Sequence, residues 1–193
     1  MKKLLLYCAV AVLAACGSSD EKAKVEEKPQ GPLAKSANSA AFNESFGAVL
    51  ADYYALKESF VADSDTAVDR NAKSLMLATD NLKLNELKGD TNIIATAKTY
   101  TEGISAELKG LLGEKDMEGK RKSFQMVGDQ LYDLIRTVQY DRAVVYHQFC
   151  PMAFNDQGAN WLSSYQDIRN PYIPKKMLTC GETKDSIDFR PKQ

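Results

Sequence analysis

Apolar residues recur at three- and four-residue steps through most of this chain, in four separate stripes. Phe42, Phe46, Val49, Leu50, Tyr53, Leu56 and Phe60 mark one face of a first helix. Val68, Ala72, Leu75, Ala78 and Leu82 mark a second, and Ile94, Ala97, Ile104, Leu108 and Leu111 a third. Phe124, Val127, Leu131, Leu134, Ile135 and Val138 give the fourth and most regular stripe. The punctuation agrees. Asp63-Ser64-Asp65-Thr66 can end one helix and cap the next. Lys88-Gly89-Asp90-Thr91, and then Gly110 and Gly113 ahead of Asp116, pair a helix-ending glycine with an N-cap. No proline falls between Pro32 and Pro151, so nothing breaks the run. Met76, Met117 and Met126 fall within these helices and read as core. The predicted fold class is all-α: an up-down four-helix bundle over residues 38–140, then a loop-rich C-terminal segment, 141–193, containing short strands.

The composition changes at Tyr140, after which four of the six prolines lie. Ala143–Tyr146 and Ile187–Phe189 read as short strands, and Ala159–Leu162 as a helical turn. About 50 residues with so few aliphatics cannot bury a core alone, so this tail is expected to fold against the bundle.

The N-terminus sets the compartment. Lys2 and Lys3 precede a short apolar run, Leu4–Leu13, too short to span a bilayer. Leu13-Ala14-Ala15-Cys16 then resembles the lipobox of bacterial lipoproteins, which implies a signal peptide over 1–15 and lipidation of Cys16. Acyl chains there would anchor the chain to a membrane. Gly17 follows, not the Asp that commonly retains a lipoprotein at the inner membrane, so the outer membrane is expected, facing the periplasm or the cell surface. Ser19-Asp20-Glu21 also resembles the surface-export signal of Bacteroidota lipoproteins, although a solvated tether accounts for it as well. Residues 16–37 are polar and read as that tether. Loss of Lys2 and Lys3 takes the formal charge from −1 to −3, which offers no footprint for nucleic acid.

The candidate chemistry is concentrated in the tail. His147, the single histidine, lies three residues before Cys150-Pro151-Met152, and Met177-Leu178-Thr179-Cys180 follows. Cys8 and Cys16 belong to the leader and the anchor, so Cys150 and Cys180 are the functional thiols. Cys150 and Met152 share a face if the backbone is extended. Met177 and Cys180 share one if it turns once. Thiols and thioethers select copper(I) or silver(I), whereas zinc ignores thioethers. The expected metal set is therefore Cys150, Met152, Met177 and Cys180, with His147 as a fifth member or a packing residue. The alternative is a Cys150–Cys180 disulfide, ordinary in an oxidising compartment and worth roughly 3 kcal/mol for a loop of this length. That alternative makes the chain a stapled interaction module that assists an envelope complex without metal. Enzymatic activity is not expected. One histidine beside a thiol is no triad, and there is no Cys-x-x-Cys and no phosphate-binding glycine loop.

Phe149-Cys150-Pro151-Met152-Ala153, Gly158-Ala159-Asn160-Trp161-Leu162-Ser163, Ile168-Arg169-Asn170-Pro171-Tyr172 and Met177-Leu178-Thr179-Cys180-Gly181-Glu182 follow one another in this order. In these motifs the chain resembles the DUF3347 family of Bacteroidota, over residues 40 to 190 and most specifically in the last 45. The family comprises secreted or lipid-anchored proteins and terminal domains of heavy-metal efflux adaptor subunits. The resemblance implies a metal context and a heavy-metal efflux complex as partner. Ile173-Pro174-Lys175-Lys176 stands where the family carries a glycine-containing turn.

Overall fold

The computed structural model describes residues 37–88 and 90–190, which lie in one compact unit. The expected signal peptide 1–15, Cys16 and all but the last residue of the expected tether lie outside the described residues.

Four long helices follow the four stripes. They are α1 (Ala40–Val61), α2 (Asp65–Asp80), α3 (Thr91–Gly113) and α4 (Met117–Val138). Three of their starts are capped by side chains. Ser39 accepts from the Phe42 N–H, Asp90 from Asn92 and Asp116 from Gly119. Gly110 lies inside α3 and Gly113 is its last residue, followed by Glu114 as the C-cap, so neither takes the left-handed position after the helix. Leu82 lies past the end of α2, in a link that continues through a 3-10 turn, Leu84–Glu86, to β2 (Leu87–Lys88). That strand pairs with β1 (Ala37–Asn38), so the chain is already structured where a tether was expected. Asn38 then donates to the carbonyls of Val138 and Gln139, tying the start of the bundle to its end.

Helix α1 packs on α2, α2 on α3 and α3 on α4. Phe124 of α4 meets Tyr53 and Phe60 of α1 at ring separations of 5.2 and 4.8 Å, so the outer helices also share core. Every residue of the fourth stripe is buried. Lys120 of α4 is buried as well and bonds both Asp65 and Asp69 of α2 at 2.6 Å. A buried ammonium is tolerable only with such partners. Met126, expected in the core, is half exposed.

The tail departs further from an all-α fold. It carries a three-stranded antiparallel sheet of order β4-β3-β5, built from β3 (Val145–Cys150), β4 (Ala159–Ser163) and β5 (Glu182–Ile187). A bulge at Lys184 shifts the β3–β5 register between His147 and Gln148. The architecture is thus mostly helical with a small sheet. Residues Ala159–Leu162 form a strand, not a helical turn. Adjacent strand residues point to opposite faces, and here both Trp161 and Leu162 are fully buried. With both faces covered, no alternation survives in the sequence to announce the strand.

Strand β4 packs on α4. A Cβ on Gly128 would stand 2.9 Å from the Tyr53 hydroxyl, so glycine is what permits the close approach. That hydroxyl accepts from the Leu162 N–H at 3.1 Å. Asp129, one residue on, meets Asn160 of β4, and burial pushes its carboxyl up to about 6. An unfolded Asp titrates near 3.9, so between about 4 and 6 the folded chain holds the extra proton. Stability therefore falls as pH rises through that window and stays reduced above it. Asp129→Asn is expected to raise the melting temperature at about pH 7.5 and to do little near pH 4. Equal gains in thermal melts at both pH values would refute this account.

Candidate functional site

The 164–181 segment folds over the sheet and is fastened at several points. The Tyr165 hydroxyl accepts from the buried Lys57 ammonium at 2.8 Å and donates to Glu58, and Arg169 pairs with the same carboxylate at 3.2 Å. Arg121 of α4 donates to the Pro171 carbonyl at 2.8 Å and pairs with Asp63 at 2.6 Å. Asp63 also holds Lys175. Gln148 of β3 donates to the Tyr165 and Gln166 carbonyls from below. Tyr172 is buried, donates to the Asn160 carbonyl and abuts Trp161, Phe124 and Phe154.

This fastening delivers Cys180 onto Cys150. The first lies in the loop before β5 and the second ends β3, and their sulfurs stand 2.7 Å apart, closer than two unbonded thiols can rest and within reach of a disulfide. Cys150 is fully buried and held by pairing with Ala159, whereas Cys180 is partly exposed. The Cys150 sulfur, and then burial, push the Cys180 thiol above the ordinary thiol range, while a bond from the Met152 N–H works the other way. Gly181 carries φ +141°, and a Cβ there would meet the Phe149 carbonyl at 2.8 Å and the Trp161 ring at 2.9 Å. A side chain at this position would therefore lift the Cys180 loop off the sheet.

The two methionines lie close to the thiols in sequence, Met152 two residues after Cys150 and Met177 three before Cys180. Met177 and Cys180 are joined by one turn, closed by the Cys180 N–H donating to the Met177 carbonyl at 3.1 Å. Met152 is not in extended backbone. The strand ends at Cys150, and Met152 leads into α5 (Ala153–Asp156), whose residues Phe154, Asn155 and Asp156 are left-handed. Three such residues in a row are strained by roughly 1–2 kcal/mol each. Met152 and Met177 are 45% and 40% exposed and line one cleft of about 540 Å³ with Phe154, Tyr172, Ile173 and Lys176. The short helix α6 (Pro174–Met177) forms its other wall, where Ile173-Pro174-Lys175-Lys176 stands in the sequence.

His147 lies elsewhere. It is an odd number of residues from Cys150 on the same strand, so it faces the opposite side of the sheet. There it packs against the Tyr132 ring of α4, tilted, with centroids 4.3 Å apart, and burial lowers its tendency to protonate despite Asp185 and Asp133 nearby. Of the five expected ligands, Cys150 and Cys180 meet, Met152 and Met177 share a cleft that neither cysteine lines, and the histidine packs on the other face of the sheet. Among the described residues, no group of three or more His, Cys, Asp or Glu side chains could hold a metal.

The family described as protein of unknown function (DUF3347) matches residues 49–143. That segment belongs to the DUF3347 family. The match begins within α1, runs through α4 and stops before β3, so the Cys- and Met-bearing motifs lie beyond it. No curated protein and no solved structure matches the chain.

Around this DUF3347 segment the structure adds residues that composition did not single out. Asn170, Gly181, Arg121 and the Lys57–Tyr165 pair all serve to hold the 164–181 loop. Asn-Pro and Cys-Gly are recognisable turn signals in the sequence. Lys57 carries no such signal, because it sits among core positions of α1.

Proposed function

We propose that this chain is a lipid-anchored protein of the cell envelope that binds a soft ion, copper(I) or silver(I), as cargo for sequestration or for delivery to a heavy-metal efflux complex. What supports the reading is the contact of Cys150 with Cys180, together with Met152 and Met177, each within three residues of one of these thiols and both lining one cleft. The donor set suits such an ion. With metal–sulfur bonds of about 2.3 Å, two thiolates on one ion stand about 3.8 Å apart in tetrahedral and about 4.6 Å apart in linear coordination. The thiols at 2.7 Å must therefore separate to admit it. The Cys180 side chain is the one to turn aside, since it is partly exposed while Cys150 is buried at the end of β3. Both thiols must also shed protons, so affinity rises with pH. The helices take up-down order around the shared core in this proposal, and the bundle serves as the platform for the sulfur clip.

The test is an anaerobic copper(I) titration against a competing chelator. It uses the full chain in detergent with Cys8 and Cys16 replaced by serine, so that only two thiols remain. One equivalent bound by the reduced protein supports the reading, and none bound when fully reduced defeats it. A second reading is favoured by the sulfur contact itself. In it the pair is a disulfide staple, and the chain is an interaction module of an envelope complex without metal.

Anchoring is tested separately. No helix among the described residues is long and apolar enough to cross a membrane. Cys16→Ser in the native host is expected to release the protein from the membrane fraction or leave it unprocessed. Unchanged processing and partition on fractionation and immunoblotting would refute the anchor.

A further inference from the structure

Asn170 is fully buried where the loop towards Cys180 begins. Its Oδ1 accepts from the Tyr172 N–H at 2.8 Å and the Ile173 N–H at 3.2 Å, which closes its own turn. A turn residue needs no more than that. Two further bonds reach across the loop. The Asn170 backbone N–H donates to the Leu178 carbonyl at 2.8 Å, and Nδ2 donates to the Cys180 carbonyl at 2.9 Å. One residue thus binds the outgoing arm at the backbone of the thiol-bearing residue. Further restraints on that arm are the short Met177–Cys180 turn, the Met152 N–H bonded to the Cys180 thiol, the close seat of Gly181 and the pairing of Glu182 with Phe149.

We infer that Asn170 is the positioning residue of the sulfur site, holding the Cys180 backbone so that its sulfur stands on Cys150. A loop released at Cys180 samples many thiol positions, and the two sulfurs then meet less often. The consequence reaches any chemistry that uses both sulfurs together. Only the copper arm of the test rests on the metal reading proposed above, and the thiol–disulfide arm does not.

Asn170→Asp keeps the acceptor for Tyr172 and Ile173 but sets a carboxylate oxygen against the Cys180 carbonyl. Asn170→Ser, shorter and neutral, is run beside it. Each variant is made in the full chain lacking Cys8 and Cys16, and its helical circular dichroism is checked. The first measurement is equilibrium with glutathione, in which two thiols and one glutathione disulfide give the Cys150–Cys180 disulfide and two glutathione thiols. Asn170→Asp is expected to shift this equilibrium at least about tenfold towards the dithiol, or about 30 mV. The second is copper(I) affinity, expected to fall by at least about tenfold, within the range for losing a partner that orients a ligand. The third is pH. Once protonated, the introduced carboxyl can donate to the Cys180 carbonyl, so the gap between parent and Asn170→Asp should narrow in acid.

A folded variant that matches the parent in both the thiol equilibrium and copper affinity overturns the inference. Global unfolding of both variants overturns it too, since the residue would then serve the whole fold. If the parent binds no copper yet Asn170→Asp shifts the thiol equilibrium, the positioning role stands and the metal reading falls.

Discussion

Leu131→Asp is expected to unfold the bundle. Leu131 is the middle of the fourth stripe and is fully buried. The substitution removes a core side chain and forces a carboxyl into a site without a partner, either to be buried or to drag water inward. Each route costs several kcal/mol, roughly 3–5 in the usual range of severe core defects. A domain of this size is held by about 5–15 kcal/mol in all. A fall in melting temperature of roughly 10 °C or more is expected, or loss of the cooperative transition. Thermal melts followed at a helical wavelength decide the matter. A variant that melts within a few degrees of the parent would show that α4 is not packed as described.

The second large effect concerns copper(I). Cys150→Ser and Cys180→Ser are each expected to cost more than the roughly 10–100-fold typical of losing a supporting partner, because the thiolate is the strong donor. The two should differ in stability. A hydroxyl in place of buried Cys150 lacks a bonding partner and costs about 1–3 kcal/mol, whereas partly exposed Cys180 tolerates the change better. Met152→Leu and Met177→Leu retain volume and remove only the thioether. Both side chains are substantially exposed on the cleft, so stability should barely move. Their copper(I) affinity should drop by roughly tenfold, the low end of that range. Competition titrations beside thermal melts separate the two effects. If both leucine variants bind as the parent does, the thioethers are surface residues and the two thiols alone hold the ion; if the reduced parent binds none, the interaction-module reading takes over.

The amino-acid sequence alone determined the four helices. Apolar spacing over some 20 residues is a strong periodic signal, and all six residues of the stripe from Phe124 to Val138 are buried in α4. The N-caps at Asp90 and Asp116 were equally legible, because a helix start asks for one side-chain oxygen at one position. Cys150, Met152, Met177 and Cys180 were legible as a set by their chemistry. The tertiary structure decided the rest. Strand β4 was hidden because Trp161 lies against the folded loop and Leu162 against the other face, which erases the two-residue alternation. The short β1–β2 pair depends on partners about 50 residues apart, which local pattern does not report. Parity along β3 put His147 on the far face, but only once the strand was known to run without interruption to Cys150. The contact between the two sulfurs depends on Arg121 and Lys57 reaching the loop from the helices and on Asn170 bonding across it. Periodicity records which face of an element is apolar. Where a loop comes to rest is set by individual polar bonds between distant residues, and those exist only after the chain has folded.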